Sequence, residues 1–546
     1  MPEIEKSLFC LWFGFAPKKV TSNEPKKGIN PMIKTQILLG VVLVFNTLAH
    51  DPPGDEFKAA FGQAFSPTDY RPLQRPAPGR HVDAVRRWHE ITLAANALDH
   101  TPSTLVENRV FGEQYGPGRT SRAFAIVHIA MFDALNAILR KYESYTGVQA
   151  PTGAVSPEAA VSQAACDALS ALYPSQQRSF QDWLAEDLQA VKSRPARQNG
   201  VLLGKQAAAA ILALRSNDGS QHAEPIINVD WLPSPLPGRW RQDPIGLIPV
   251  ALGAYWSGVT PFVLETAAQF RAPPPPAMTS AEYTAAYNEV KSLGGDGVVT
   301  PTMRTEEQTQ IGIAWGYDGT PGLGTPPRQY NQIAMLIADQ MKSNDLETAR
   351  LLALVNVAMA DTAIAVWEAK YFHDFWRPVT GIRESDPGTG PTGAGDGNPL
   401  TVGDPAFSPL GAPASNLSGP NFSPPFPAYP SGHAGFGGAL FQVLRRFYGR
   451  DNISFARISD ESNGITRGND GMIRPLLMRG YASLSQAEEE NGQSRIYLGI
   501  HWSFDKTAGI AMGRAVANHV FDRQFRPLNP SAKSKTESAT TENAGN

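Results

Sequence analysis

The chain has 546 residues, 18% of them charged, 42% hydrophobic, and a formal net charge of −3. That length holds more than one helical layer, or two packed bundles, and the lack of a basic excess argues against nucleic acid as a partner. The 49 glycines and 46 prolines predict long ordered loops between elements.

In chain order, the first signal is Met32-Ile-Lys-Thr-Gln-Ile-Leu-Leu-Gly-Val-Val-Leu-Val-Phe, ending in small residues near 50. A lysine followed by a short apolar run resembles a secretory signal peptide that starts at Met32, which implies a secreted or periplasmic protein. A signal anchor and a buried helix are the competing readings. The run is short for a membrane span, and no stable span is expected. Residues 1–50 are therefore set apart as an N-terminal extension.

The two cysteines are Cys10 and Cys166. A chain beginning at Met32 keeps one and forms no internal disulfide. Cys166 falls in an alanine-rich stretch and reads as a small core residue. Neither a zinc-type Cys/His cluster nor His-Glu-x-x-His occurs.

Residues 51–80, rich in proline and charge, read as a surface arm. Helices are predicted at about 82–98, 119–140, 157–173, 175–192 and 198–216, with Ser156-Pro157 a cap followed by proline at the first helical position. Residues 217–262 lack periodicity, and Pro273 to Pro276 mark a break. The expected organisation is an N-terminal helical bundle over 51–276 and a C-terminal one over 277–528. Helices resume at about 280–293, 304–316, 326–342 and 345–376, with Thr305-Glu-Glu-Gln as a capping start. Residues 379–425 carry no secondary-structure signal and read as the wall of a pocket. Within them, Asp386 to Asn398 also fits a disordered insertion. Residues 452–491 read as helical in parts, a last helix runs to about Gln524, and the polar 529–546 reads as a disordered tail.

Three C-terminal stretches carry chemistry. Lys370-Tyr-Phe-His-Asp-Phe-Trp-Arg377-Pro378 places two cations seven residues apart, with Arg377 at the end of the helix. A guanidinium grips two oxyanion oxygens and an ammonium acts as a point charge. Taken alone, the pair also fits cations lying along apolar surface at a helix C-terminus. Pro430-Ser431-Gly432-His433 precedes apolar residues at helical spacing, Leu440, Phe441, Leu444 and Phe447, ending at Gly449. Ser431 is the expected N-cap and Gly432 lets an anion approach free N–H groups. An ordinary serine cap needs no imidazole, so His433 stands out. Ser494-Arg495 and His501 follow in a short extended or helical piece, with Asp505 four residues after His501 and able to hold one ring nitrogen. A lone histidine there also fits a satisfied core residue. Together the three stretches hold three cations and two histidines, the inventory of a tetrahedral oxyanion pocket.

Lys-x6-Arg-Pro, Pro-Ser-Gly-His and Ser-Arg-x5-His-x3-Asp together resemble the signature of the type-2 phosphatidic acid phosphatase and vanadium haloperoxidase superfamily. Trp315-Gly-Tyr-Asp318-Gly, Thr325-Pro-Pro-Arg-Gln-Tyr-Asn-Gln, Trp367 and Phe426-Pro-Ala-Tyr-Pro-Ser-Gly-His are similar to the fungal chloroperoxidase type, over roughly residues 300–525. The resemblance implies an all-α fold of two packed four-helix bundles and a vanadate (orthovanadate) cofactor bonded to His501. It implies that Lys370, Arg377, Ser431, Gly432 and Arg495 hold the vanadate oxygens, that Lys370 also donates to bound peroxide, and that His433 is the acid–base group. Trp367 and Phe426 would line the halide side, Asp318 would pair with Arg495, and Asp505 would orient His501.

The implied reaction is oxidation of chloride or bromide by hydrogen peroxide to hypohalous acid, which then meets small organic acceptors. An acid phosphatase working through a phosphohistidine at His501 is the alternative, because phosphate shares the shape and charge of vanadate. A non-catalytic anion-binding scaffold is a third reading with little support in the residues.

Overall fold

Helix caps written into the sequence set most of the architecture. The computed structural model describes residues 55–68, 83–104 and 107–528. The signal-like stretch 32–50, Cys10 and the tail 529–546 lie outside them.

Helix α1 (Asp55–Phe61) opens the described chain, followed by α2 (Ala84–Asp99), α3 (Gly116–Leu139), α4 (Pro157–Leu172), α5 (Gln177–Ala190) and α6 (Arg194–Leu214). After a long irregular crossing come α7 (Ala281–Leu293), α8 (Glu306–Ala314), α9 (Pro326–Gln340), α10 (Asp345–His373) and the short α11 (Pro378–Arg383). The chain ends in α12 (Gly432–Tyr448), α13 (Leu484–Tyr497) and α14 (Ser503–Arg523). The fold is all-α, as expected. Ser156 caps α4, Thr305 with Gln308 and Asn344 with Glu347 form reciprocal capping boxes on α8 and α10, and Ser431 caps α12. Each satisfies donors that a helix start leaves free.

Helix α10 is apolar on all sides and buried along almost its whole length, which makes it an axis rather than a surface helix. It packs on α3, α9, α12 and α14. Both α3 and α10 are long and apolar enough to cross a membrane, yet 89% and 100% of their most apolar windows are buried inside the protein. Cys166 is a buried free thiol among the alanines of α4, as read from the sequence. No group of three or more metal-ligating His, Cys, Asp and Glu side chains occurs among the described residues.

The tightest helix contact lies beneath the C-terminal motifs. A Cβ on Gly509 of α14 would sit 2.5 Å from the carbonyl of Ser431, and one on Gly513 would collide with the carbonyl of Gly435. Absent side chains thus let α14 lie against the first turns of α12 and bring Ser503–Asp505 beside Ser431, whose N–H donates to the Asp505 carbonyl at 3.0 Å.

Two expectations need correction and a third was incomplete. Residues 55–68 are not a surface arm: Phe57, Phe61 and Phe65 are buried, and Phe61 and Phe65 meet Phe422 edge-on at 6.2 and 5.6 Å. The strand β1 (Ser66–Pro67) pairs with β2 (Leu417–Ser418), tying that segment to the long loop. Residues 452–491 are helical in part, as expected, from Leu484 on, but no strand was expected before it. They form an antiparallel hairpin, β3 (Phe455–Asn463) with β4 (Leu476–Tyr481), before α13. Its apolar pattern is inverted: Arg457, Ser459 and Glu461 point inward, while Ile458 and Met478 face out, 41% and 69% exposed. Asp386 to Asn398 is not a loose insertion either, since Asn398 donates to the Met278 carbonyl and the Thr284 hydroxyl, and Thr401 to Asp396.

Gly513→Ala is expected to destabilise the protein by about 1–3 kcal/mol through overpacking. The check is the thermal unfolding midpoint, which falls by several degrees. An unchanged midpoint shows that α12 and α14 have room to part.

Candidate active site

Helix α10 delivers Trp367 and Lys370 in its last turns and stops at Asp374, which takes a left-handed φ of 52°. Arg377 is therefore not at the end of that helix. Forced extended by Pro378 (φ −78°, ψ 155°), it stands immediately before α11. The two cations converge because the chain turns between them.

Lys370 is fully buried, and its Nζ donates to the carbonyls of Pro427 at 2.8 Å and Ala428 at 2.9 Å. It thereby clamps the proline-rich run that feeds Ser431. Burial, with Arg377 and Arg495 nearby, pushes its ammonium well below the ordinary lysine range, against the pull of Asp505. Arg377 donates through Nε to the Phe426 carbonyl and through Nη1 to the Ile500 carbonyl and His501 Nε2, all at 2.9 Å. Burial lowers even this guanidinium, to about 9, with Arg495 adding to the effect and Asp505 opposing it.

His501 has one tautomer available. Arg377 can only donate, so Nε2 must offer its lone pair, and Nδ1–H donates to Asp505 Oδ2 at 2.7 Å. Asp505 Oδ2 also accepts the Trp502 N–H at 3.0 Å, which fixes the carboxylate at the start of α14. Burial raises Asp505 to about 7, opposed by that N–H, Lys370 and Arg377. Burial and the surrounding cations hold the His501 imidazole well below its usual range, so it stays neutral and its Nε2 stays basic.

Arg495 lies in the last turn of α13, the helical of the two readings of that piece. Its Nη2 grips both oxygens of Asp318, at 2.8 and 3.0 Å, with both side chains buried. His433, just inside α12, donates from Nε2 to the Gly316 carbonyl at 2.8 Å. In the neutral ring that leaves Nδ1 as acceptor, and burial next to Arg495 keeps the ring neutral. Gly432 sits under the indole: a Cβ there would meet Trp367 at 3.2 Å. Trp367 packs against Phe426, ring centroids 5.0 Å apart, and donates its indole N–H to the Leu252 carbonyl at 3.1 Å.

Of the residues expected from the sequence, Asp318, Trp367, Phe426, Gly432, His433, Arg495 and His501 line one hollow, Arg377 and Asp505 bond His501, and Lys370 and Ser431 hold the segments beside them. The purpose of the site is legible in what its cations leave unsatisfied. Arg377 Nη2 and Arg495 Nε and Nη1 are buried without a protein partner. A buried donor left unmade costs about 1–3 kcal/mol, so an acceptor is called for. Three cations, Lys370, Arg377 and Arg495, face two carboxylates, Asp318 and Asp505, and the first turn of α12 adds its positive end. A tetrahedral oxyanion satisfies the donors and balances the charge.

The loop expected as pocket wall contributes Phe422, Pro424 and Pro425 to the approach to Trp367, His433, Arg495 and His501. Sequence reasoning missed the rest of that wall, Leu252 with Phe61 and Tyr115 from the N-terminal half. It also missed the brace on α12, where the His433 carbonyl accepts from Asn491 Nδ2 at 2.8 Å and the Tyr330 hydroxyl lies 2.9 Å away. The phenylalanines Phe57, Phe61 and Phe65, four apart, were the available clue to the first of these.

Comparison with known proteins agrees with this geometry. A family model described as the VCPO second helical-bundle domain matches residues 350–530. The chain is 32% identical to vanadium chloroperoxidase of Curvularia inaequalis over 505 residues, covering 77% of this chain and 78% of the relative. The fold is similar to a bacterial vanadium-dependent iodoperoxidase (TM-score 0.64, 24% identity, 84% of this chain and 100% of that one). It is also similar to the holo form of a bacterial vanadium-dependent chloroperoxidase (TM-score 0.53, 16% identity, 79% and 96%).

Asp505→Ala frees His501 Nδ1 and lets the ring take the wrong tautomer. Such a loss of the partner behind a ligand weakens binding about 10–100-fold. Asp505→Asn, whose amide oxygen can accept both bonds now made to Oδ2, should fall in between. Calorimetric titration with inorganic phosphate or orthovanadate checks the order, and equal affinities in all three proteins contradict it.

Proposed function

The chain belongs to the vanadium-dependent haloperoxidase family, and from that premise we propose that it oxidises chloride and bromide with hydrogen peroxide to hypohalous acid, using vanadate held at His501. The observation that carries the site assignment is the trio of partnerless guanidinium donors on Arg377, which bonds His501 Nε2, and on Arg495, which lines one hollow with His501.

Vanadate, a tetrahedral oxyanion, fits that donor set. Lys370, Arg377, Ser431, Gly432 and Arg495 would hold its oxygens, and His501 Nε2 would supply the one protein bond to the metal. Bound there, it supplies a Lewis-acid centre that activates peroxide oxygen for transfer to halide without changing its own oxidation state. The overall reaction combines halide, peroxide and a proton to give hypohalous acid and water.

The protein's part is preorganised charge and proton handling. Lys370, Arg377 and Arg495 are immobilised by carbonyls and by Asp318, so no reorganisation is needed as negative charge shifts. His433, neutral and with its Nε2–H committed to Gly316, keeps a lone pair to take the proton of incoming peroxide. Trp367 and Phe426 present an apolar wall with Lys370 Nζ 5.1 Å from the Phe426 centroid, a place where a weakly hydrated anion meets positive charge. Small organic acceptors then react with the released hypohalous acid. The phosphatase reading draws on the same donors, and this aromatic wall favours the halide reaction over it.

Halogenation of a phenolic dye by anion-stripped protein should require added orthovanadate and be suppressed by phosphate. Hydrolysis of para-nitrophenyl phosphate without halogenation in any halide overturns the proposal. His433→Ala should lower kcat by about 10²–10⁴, the usual worth of a positioned acid–base group. Phe426→His should move the halide preference toward bromide. An unchanged chloride-to-bromide ratio counts against Phe426 as the halide wall.

A further inference from the structure

The hairpin β3–β4 turns a fully buried carboxylate toward the active site without touching it. Glu461 Oε1 accepts the Tyr317 N–H at 2.9 Å, and Oε2 accepts from Ser415 Oγ and Arg474 Nη1, each at 2.5 Å. Burial pushes this carboxyl up, and Arg474 opposes the shift most strongly. Tyr317 needs holding, because a non-glycine residue at φ 60° sits in the left-handed region. Its phenol is held as well, accepting the Asp460 N–H at 2.8 Å and donating to Gln332 at 3.1 Å.

The residues on either side of Tyr317 meet the site. The Gly316 carbonyl accepts from His433 and the Asp318 carboxylate grips Arg495. One three-residue turn therefore sets the position of the acid–base histidine and of the guanidinium with two free donors. Glu461 is seated so closely that a Cβ on Gly316 would collide with its Oε1. Ser459 Oγ and Arg457 Nη2 brace the preceding turn by donating to the Ala314 carbonyl at 2.7 and 3.3 Å.

We infer that Glu461 is a positioning residue for the anion site, holding the Gly316–Asp318 turn so that His433 and Arg495 face the bound oxyanion. This rests on the oxyanion reading above. It assigns the hairpin a reason to bury polar side chains: they are the buttress of that turn.

The test is a double-mutant cycle between Glu461 and Gly316, read by orthovanadate and inorganic phosphate affinity of the anion-free protein, by peroxide and halide kinetics, and by thermal unfolding. Glu461→Gln keeps the volume but sets an amide against Arg474 or Tyr317. It and Gly316→Ala should each weaken both anions at least tenfold at temperatures where the proteins remain folded. kcat/KM for peroxide should fall with them, while the halide KM, set on the Trp367–Phe426 side, stays within about twofold. Adding Gly316→Ala to Glu461→Ala should cost less than Gly316→Ala costs alone, because the closest obstruction, the carboxylate, is gone and only Pro413 Cγ at 2.9 Å remains, so the two losses are non-additive. Should Glu461→Ala fail to fold, the Gln and Gly316 single variants decide the matter. Variants that unfold earlier but bind both anions like wild type, or losses that simply add, overturn the positioning role. A wild-type protein that binds neither anion overturns the functional reading itself and this inference with it.

Discussion

Three buried cations clustered with two carboxylates among them are the constraint to which the rest of the C-terminal half answers. Charges removed from water are tolerated when each is held by hydrogen bonds and opposite charge. Lys370 therefore spends two of its donors on carbonyls, Arg377 spends Nε and Nη1 on carbonyls and His501, and Arg495 takes both oxygens of Asp318. Arg377 Nη2 and Arg495 Nε and Nη1 remain, buried without a protein partner. Burial lowers Lys370 and Arg377, and the repulsion between the cations, which adds to it, is what a bound anion relieves.

That arrangement demands stiffness, and the fold supplies it by closeness. Gly509 and Gly513 let α14 press on α12, so that Asp505, Ser431 and the His501 ring share one rigid corner. The Gly316–Asp318 turn is pinned from behind by β3, and the proline-rich run before Ser431 is clamped by Lys370. Interiors at crystal-like density transmit such constraints without slack.

The helices were legible because their signals are local. Ser156-Pro157, Thr305 with Gln308, and Ser431 before an apolar run each announce a start that tertiary contacts only confirm. The site's own residues were legible as three short stretches, since each puts rare chemistry beside a glycine, proline or cap. The hairpin was not. A strand is read from apolar residues alternating toward a core, and β3 turns Arg457, Ser459 and Glu461 inward while Ile458 faces water. Its inward partners are the backbone groups of residues 314–317, which no sequence pattern records. Arg377 was misplaced by one structural element because the left-handed Asp374 ends the helix early, and an aspartate there carries little of the signal that a glycine would.

The make-up of the approach to the site bears on how long such a catalyst lasts. Hypohalous acid attacks thiols and thioethers before other side chains, and neither lines that approach, whose apolar surface is largely phenylalanine and proline around Trp367. The one described thiol, Cys166, is buried within α4. Several thioethers stand outside instead: Met303, Met472 and Met478 are 69–78% exposed. Oxidation there turns a solvent-facing apolar tip into a polar sulfoxide and leaves the packed interior intact. Oxidant leaving the site would meet these thioethers before the packed interior.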